Sequence, residues 1–332
     1  MFNAYDNNNL YALCLLIDGG IIMSFTMNVK NEISKLDIKK SDKAEKISEL
    51  SAFFRNSCKK NGDLIDLYTE NKNAAERIVK LIKDVYNVDC EILEKITAVF
   101  NRNIYYIKIF EREKFILDDL SVYDEKGIFY LKPEKYIVGS LDESKAYIRG
   151  TFLSCGSIND PKTSQYHLEF LFDEKEESIF VQRLLNEFEL NAKLLLRDKK
   201  FMIYIKDSDD ISDFLKILGA SNSVMYYENV RAYKEQINIT NRLNNCEQAN
   251  IDKILMSCNE QIKDINLIID KLGYEFFDEK LKEVVDYRLK YPESSLTELS
   301  EIISLETNKK ITKSGLNHRF RKIRDIANQL KM

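Results

Sequence analysis

The order of predicted secondary-structure elements occurs twice in this chain of 332 residues, and this duplication most constrains its fold. The first copy opens with a helix, "KAEKISELSAFFRNSCKKNG", whose apolar residues Ile47, Leu50, Phe53 and Phe54 recur at helical spacing. A strand, "GDLIDLYTE", and a second helix, "NKNAAERIVKLIKDVYNV", follow, with Asn73 as the predicted N-cap. The strands "CEILEK" and "NIYYIKIF" complete the first copy.

The second copy has the same order about a hundred residues later. A helix, "SLDESKAYIRGTFLSCGS", precedes the strand "SQYHLEFLF", the helix "DEKEESIFVQRLLNEFEL", the strands "AKLLLR" and "KFMIYIK", and a final helix, "SDDISDFLKILGA". Only 10 Gly and 3 Pro occur, which argues against a β-sandwich. We predict an α+β domain at 23–232 with repeats at about 40–135 and 141–232. The alternative is chance recurrence, which any α+β chain can show.

The segments that flank the duplicated domain have a different character. The N-terminal stretch "LYALCLLIDGGIIM" is too short to span a bilayer and lacks the basic region of a signal peptide. Because a capped amphipathic helix starts near Met23, we expect residues 1–22 to be a non-native or disordered extension. Residues 233–272 read as a polar helical linker that Gly273 ends, and 273–332 as a compact three-helix domain.

The C-terminal domain has the pattern of a helix-turn-helix. The helix "FDEKLKEVVDYRLKYP" precedes "SSLTELSEIIS" and "TKSGLNHRFRKIRDIANQL". Ser294 or Ser295 is the predicted N-cap of the second helix, and Ser295 and Glu298 have capping-box spacing. Thr312 is the predicted cap of the third helix, and Leu316, Phe320, Ile323 and Ile326 are its predicted apolar face.

A local run of basic residues makes the third helix a candidate for binding double-stranded DNA. The chain has a formal charge of -4, but seven Lys or Arg residues and no acid lie between Thr307 and Arg324. Such a stripe binds phosphates and releases counterions, with a salt slope near -3.6 for about four phosphates. The alternative is a solvated basic helix that binds nothing. The candidate DNA-binding residues are Ser295, Thr312, Lys313, Ser314, Asn317, His318, Arg319, Arg321, Lys322 and Arg324.

The sequence predicts no catalytic site, metal site or cofactor. The six cysteines form no CxxC pair, and neither of the two histidines, His167 and His318, lies in a catalytic motif. We therefore expect a reduced cytoplasmic chain without a membrane segment.

The duplicated domain resembles the LAGLIDADG homing-endonuclease fold on the segments "LSAFFRNSC" and "YIRGTFLSCG". The resemblance implies that two motif helices pack closely through small residues, Ala52 and Gly150. A tolerated helix glycine, costing about 1 kcal/mol, is the simpler alternative for Gly150. At the positions of the family's metal-binding acids this chain has Ser57 and Cys155, so nuclease activity is expected to be lost. A better match in letters, "LCLLIDGG", lacks the following elements at the right spacing.

The chain from Met23 onward resembles the WhiA family in "YIRGTFLSCGSINDP", "NRLNNCEQANIDK" and "ITKSGLNHRFRKI". This resemblance covers roughly nine-tenths of the chain. It implies a nucleoid-associated transcription regulator with a role in cell division and chromosome segregation, and in sporulation where the organism sporulates.

Several interpretations stay open at this point. The chain is a regulator, a working endonuclease, or a platform whose N-terminal domain binds a protein or small-molecule effector. In "NRLNNCEQANIDK", Asn245 caps a helix and Arg242 bonds the preceding domain, or the segment contacts phosphates. One face of the predicted sheets lies toward a DNA-binding concave surface or is simply solvated; its residues are Tyr106, Lys108, His167, Glu169, Lys193, Arg197, Tyr204 and Lys206.

Overall fold

The computed structural model describes residues 24–61, 64–97, 102–124 and 126–331, and the predicted extension at 1–22 lies outside them. The chain divides into a first unit that ends at Tyr233 and a second unit that begins at Lys234. In the first unit the helices are α1 (Phe25–Ser34), α2 (Lys43–Ser57), α3 (Lys72–Tyr86), α4 (Glu113–Asp119), α5 (Leu141–Cys155), α6 (Lys175–Glu187) and α7 (Ser208–Leu218). Its strands are β1 (Cys58–Asn61), β2 (Leu64–Thr69), β3 (Cys90–Thr97), β4 (Arg102–Ile109), β5 (Gly156–Ile158), β6 (Leu168–Phe172), β7 (Lys193–Arg197) and β8 (Lys200–Ile205).

The predicted duplication is confirmed by two four-stranded antiparallel sheets of the same topology. Their strand orders are β1-β2-β4-β3 and β5-β6-β8-β7. In each sheet, β2 or β6 pairs with the distant strand β4 or β8, as in the register Leu67↔Ile107 and Phe170↔Ile203. One large hydrophobic core joins the two repeats. The α+β class is therefore correct, with helices packed on one face of each sheet.

Two short strands follow the motif helices without any turn, and neither was predicted from the sequence. β1 starts directly after Ser57, and β5 starts directly after Cys155. Because the strands have only four and three residues, no alternating pattern distinguishes them from the end of the preceding helix. The strand that was predicted from Ser164 begins later, at Leu168.

Other local differences have simple physical causes. Asn71, and not Asn73, is the N-cap of α3, because the Asn71 Oδ1 accepts a hydrogen bond from Ala74 N at 2.8 Å. The Asn73 amide instead donates to Asn31 Oδ1 at 2.8 Å. The helix α4 was not predicted; it is only seven residues long and has no side-chain N-cap hydrogen bond.

The two motif helices α2 and α5 pack with their backbones in close approach. A Cβ at position 150 would lie 2.2 Å from the backbone oxygen of Glu49 and 3.0 Å from the Cβ of Ala52. Real Cβ atoms do not come so close to a backbone oxygen, so only glycine allows this contact. The predicted role of Gly150 and Ala52 in helix packing is confirmed.

Two buried carboxylates connect the repeats across this helix pair. Glu49 on α2 accepts hydrogen bonds from Arg77 on α3, at 2.5 and 2.9 Å, and from Arg149 on α5 at 3.2 Å. Burial alone would raise the pKa of Glu49, but the two arginines outweigh burial and lower this pKa. Glu177 on α6 accepts from Arg55 on α2 at 2.6 Å and from Tyr147 on α5 at 2.5 Å.

The second unit is formed by helices. The long helix α8 (Ser221–Leu272) begins in the first unit, where Glu32 accepts hydrogen bonds from the N–H groups of Asn222 and Ser223. It contains the predicted linker, and Gly273, with φ of 81°, follows its end. The interpretation of Asn245 as a helix cap is wrong, because this residue lies in the interior of α8. Three further helices follow: α9 (Glu279–Lys290), α10 (Leu296–Thr307) and α11 (Lys313–Lys331).

The close contact at position 150 leads to a stability prediction. We expect Gly150→Ala to lower the free energy of unfolding by about 2–3 kcal/mol, because overpacking forces α2 and α5 apart. Since the clash is with a backbone oxygen, adding Ala52→Gly is not expected to restore stability. Urea unfolding of the full chain, followed by circular dichroism, measures both effects.

The matched control is Gly315→Ala, a second glycine within a helix. A Cβ there would lie 3.4 Å from Thr312 Oγ1, an ordinary contact. We expect Gly315→Ala to be neutral or to stabilise by up to about 1 kcal/mol through helix propensity. Equal effects of the two substitutions would contradict the packing role of Gly150.

Candidate nucleic-acid interface

The helices α9, α10 and α11 form a helix-turn-helix with a capped turn. Ser295 is the N-cap of α10, and its capping box with Glu298 is confirmed. Asn308, with φ of 54°, ends α10, and Ile311 N donates to Ser304 Oγ at 3.0 Å within the turn. Thr312 Oγ1 then accepts from Gly315 N at 3.1 Å and begins α11. These bonds fix the angle at which α11 leaves the turn.

A buried arginine on α9 contacts both the loop before α10 and the helix α11. Arg288 on α9 has no exposed surface and donates from Nη1 to the carbonyl oxygens of Tyr291 and Ser294, at 3.2 and 2.6 Å. Its guanidinium carbon lies 5.3 Å from the centroid of the Phe320 ring on α11. Burial lowers the pKa of Arg288. This side chain therefore links the loop before α10 to the third helix.

The buried face of α11 decides which of its side chains are available to a ligand. Leu316, Phe320, Ile323 and Ala327 are buried, whereas the predicted Ile326 is only half-buried. At 100° per residue, the side chains opposite this face follow the spacing i, i+3, i+4, i+7. They are the exposed residues Ser314, Asn317, His318 and Arg321, which we call the outward row.

Basic residues on the flanks of α11 are paired with acids from other helices. On one flank, Arg319 Nη1 lies 3.0 Å from Glu283 Oε2, and Lys322 Nζ lies 3.2 Å from Asp278 Oδ2. On the other flank, Arg324 Nη2 lies 3.1 Å from Glu260 Oε2. Lys331 Nζ there lies 2.8 Å from Asp264 Oδ1. The acids come from α8, from α9 and, for Asp278, from the N-cap of α9.

The stretch from Thr307 to Arg324 contains no acid in its sequence, but acids from other parts of the chain lie next to several of its basic residues. Within the described part of the chain, no acidic side chain lies within 4 Å of Lys310, Lys313 or Arg321. Lys309 is 3.9 Å from Glu283 Oε1 and remains largely exposed. The structure therefore separates the predicted site residues into an unpaired set and a flanking set that is held by carboxylates.

The predicted residues Ser295 and Thr312 also have the helix-capping roles that the sequence predicts. Both hydroxyl groups accept a backbone hydrogen bond at a helix N-terminus. A capping hydroxyl keeps its proton available for a further acceptor, so capping and phosphate contact are compatible. Glu283, which holds Arg319 and Lys309, was missed, because its place on α9 gives no local charge signal.

The ends of the motif helices do not fit a divalent cation. Ser57 and Cys155 are the last residues of α2 and α5, and burial raises the pKa of the Cys155 thiol to about 12. A hydroxyl and a protonated thiol lack the charge and hard oxygens that Mg²⁺ requires. The half-buried ammonium of Lys30 on α1 neighbours Cys155 and adds a positive charge there. In the described parts of the chain, no cluster of three His, Cys, Asp or Glu residues is suited to a metal.

The candidate sheet-face residues form two aromatic and cationic groups. In the second sheet, His167 Nε2 lies 3.1 Å from Glu169 Oε2, and the His167 ring stacks on Tyr204 with centroids 6.1 Å apart. Lys193 and Glu169 are both in register with Tyr204, and Lys206 Nζ lies 5.2 Å from its ring. In the first sheet, Tyr106 has Lys95 Nζ at 4.6 Å from its ring. Each sheet thus has a tyrosine ring with a lysine ammonium close to it, Lys95 at Tyr106 and Lys206 at Tyr204.

Three family models of protein domains match most of the chain. Their descriptions are "WhiA N-terminal LAGLIDADG-like domain" at 43–123, "WhiA LAGLIDADG-like domain" at 144–236 and "WhiA C-terminal HTH domain" at 240–327. The chain belongs to the WhiA family. The family match covers both repeats and the helix-turn-helix, so the resemblance inferred from sequence is confirmed.

Curated WhiA relatives and a solved WhiA structure are similar over almost their full length. "Probable cell division protein WhiA" of Bacillus subtilis (strain 168) is 38% identical over 318 residues, which cover 93% of this chain and 98% of the relative. The protein of the same name from Staphylococcus aureus (strain Newman) is 37% identical over 314 residues, with the same coverage. The crystal structure of full-length DUF199/WhiA from Thermatoga maritima has a TM-score of 0.57 at 25% identity. It covers 92% of this chain and 99% of that chain.

The segment "NRLNNCEQANIDK" of this WhiA chain lies entirely on α8, and its side chains are exposed. The match to the WhiA C-terminal domain begins at residue 240, next to this segment. Among the helices of the described residues, none is long and apolar enough to cross a membrane.

The half-buried Lys30 leads to a prediction on the pH dependence of stability. Burial lowers the pKa of Lys30 to about 8, whereas an unfolded lysine has a pKa of about 10.4. Between these values the unfolded chain binds more protons than the folded chain, so this lysine makes stability rise with pH. We expect a rise between pH 8 and 10 that is smaller in Lys30→Met, measured by urea unfolding at each pH.

Lys35→Met is the control for the removal of a charge. Lys35 is exposed directly after α1, so its replacement is expected to leave the slope between pH 8 and 10 unchanged. An identical pH profile for Lys30→Met and the wild type would contradict the burial of this ammonium.

Proposed function

We propose that this chain is a sequence-specific, double-stranded DNA-binding regulator of the WhiA type, with a role in cell division and with no nuclease activity. The domain bounds of this proposal are 23–232 for the LAGLIDADG-like scaffold, 233–272 for the linker and 273–332 for DNA binding. The named relatives supply the cell-division role, and transcription regulation follows from the family resemblance. A cytoplasmic, nucleoid-associated location follows if the chain binds DNA.

The outward row of α11 carries the proposal of DNA recognition. In the major groove, an Asn amide can pair one donor and one acceptor with adenine, and an Arg guanidinium can pair two donors with guanine. Ser and His add smaller polar groups. The row lies opposite the buried face, so it is the part of α11 that a groove meets first. Lys310 and Lys313, near the N-terminus of α11, have no acidic partner within 4 Å in the described residues and suit phosphate contacts.

The ends of the motif helices support the proposed loss of cleavage. Homing-type hydrolysis needs anionic ligands for the metal ions that activate water and stabilise the leaving oxygen. Ser57 and Cys155 are uncharged and supply no anionic ligand, and the Lys30 ammonium next to Cys155 disfavours binding of a metal cation there. The first unit then serves as a scaffold, and a protein or small-molecule effector for it stays a hypothesis from the sequence.

Substitutions in the outward row and on the flank of α11 test the recognition helix. Bound duplexes are first selected from a random-sequence pool to obtain the preferred site. On this site, Arg321→Ala is expected to cost about 1–3 kcal/mol and to relax base preference, because a base contact is lost. Lys322→Ala is the matched control, since Asp278 already holds this flanking lysine. A cost for Lys322→Ala that equals or exceeds that of Arg321→Ala would contradict the assignment.

Incubation with supercoiled plasmid that carries the selected site tests the loss of cleavage. With Mg²⁺ or Mn²⁺ we expect no nicked or linear product, because no anionic ligand pair ends the motif helices. The variant Ser57→Asp/Cys155→Asp is compared under the same conditions, with binding to the site as the control for folding. Cleavage by the unsubstituted chain would overturn the proposal of a non-catalytic scaffold.

A further inference from the structure

A single carboxylate on α9 faces two of the seven basic residues between Thr307 and Arg324. Glu283 Oε2 lies 3.0 Å from Arg319 Nη1 on α11, and Glu283 Oε1 lies 3.9 Å from Lys309 Nζ in the turn. The two oxygens thus face different cations, one on the recognition helix and one just before it. Arg319 Nη1 also donates to the backbone oxygen of Lys280 at 3.3 Å, which anchors the guanidinium on α9.

The pair between Glu283 and Arg319 is more sheltered than the other pairs along α11. The side chains of Glu283 and Arg319 are 19% and 25% exposed, whereas Lys322 and Asp278 are 55% and 53% exposed. A sheltered charge pair is screened less by salt and by water than an exposed pair. Arg319 is therefore the flanking cation that a DNA phosphate has most difficulty in drawing away from its carboxylate.

We propose that Glu283 restrains sequence-independent DNA binding by withholding Arg319 and Lys309 from phosphates. This inference rests on the proposed DNA-binding function and adds a control to it. Phosphate contacts supply the affinity for any DNA sequence, whereas base contacts supply discrimination. A carboxylate that competes with phosphates for two cations keeps the sequence-independent part weak, while the outward row remains free to contact bases.

The size of the restraint follows from counterion release. Each phosphate contact adds about 0.9 to the slope of log K against log salt, which corresponds to roughly eightfold in affinity at 0.1 M salt. Release of Arg319 alone therefore predicts roughly an eightfold gain. Release of Arg319 and Lys309 together predicts a gain of up to roughly sixtyfold and a slope steeper by about 1.8.

Binding of the full chain to 30-base-pair duplexes of random sequence, at several salt concentrations, tests this inference. Glu283→Gln keeps the shape of the side chain and removes its charge, so we expect tighter binding and a steeper salt slope. Glu279→Gln is the matched control: it makes the same change of net charge one turn earlier on α9, where no cation lies within 4 Å among the described residues. We expect Glu279→Gln to change the affinity by less than about twofold, since screening weakens distant charges.

Two further variants identify the source of the gain. Adding Arg319→Ala to Glu283→Gln is expected to remove at least the eightfold part that Arg319 supplies. Glu283→Asp keeps the charge on a shorter side chain, and we expect a gain in affinity between those of the wild type and Glu283→Gln. This variant replaces Glu283→Gln in the test if Glu283→Gln unfolds at a lower temperature than the wild type. Thermal unfolding followed by circular dichroism monitors the fold of each variant.

The outcomes separate this inference from the proposed function. Equal binding by Glu283→Gln and Glu279→Gln overturns the restraint and leaves DNA binding intact. Weaker binding by Glu283→Gln also overturns it, because Glu283 would then orient Arg319 toward DNA. If the wild type binds neither the random duplexes nor any selected site, the proposed function itself fails, and this inference fails with it.

Discussion

The close approach of α2 and α5 is the constraint on which the first unit depends. A methyl group at position 150 would lie 2.2 Å from the backbone oxygen of Glu49, so the helices meet at a distance that only glycine permits. This close approach brings the two repeats into one hydrophobic core, and β1 and β5 continue the chain directly from the two helix ends. Because protein interiors are close-packed, a shift of this contact would be transmitted to both sheets.

Buried carboxylates are hydrogen-bonded to residues of α2 and α5, but the last residues of these two helices, Ser57 and Cys155, carry no carboxylate. Glu49 and Glu177 are buried, and each one is hydrogen-bonded by residues from both repeats. Breaking a buried pair of this kind costs about 3–5 kcal/mol, because one charge remains without compensation. At the helix ends, where a nuclease needs acids, Ser57 and Cys155 are neutral. The charges that stabilise the fold are thus separate from the charges that cleavage would require, and the fold tolerates the absence of the second set.

Sequence periodicity predicted the duplication, the sheet strands of five or more residues, the capping box at Ser295 and the buried face of α11. These features depend on local spacing, which a single sequence contains. β1 and β5 were missed because three or four residues are too short for an alternating pattern. Asn71 and Asn73 are both suitable caps two positions apart, and both side-chain amides donate to Asn31 Oδ1. Only Asn71 also accepts the capping hydrogen bond, from Ala74 N, and sequence spacing does not show this. Glu283 was missed because its partners lie 26 and 36 positions away along the chain.

The charge on α11 shows why counting basic residues along a segment overestimates the charge that DNA meets. The stretch from 307 to 324 contains seven basic residues and no acid, yet carboxylates from 260, 278 and 283 lie within 4 Å of four of them. These pairs orient the flanks of the helix and lower its outward charge. A helix with few unpaired cations binds any DNA sequence weakly, so a few base contacts decide where it stays. Under the proposed recognition of DNA by α11, the acids around this helix therefore matter as much as the basic residues on it.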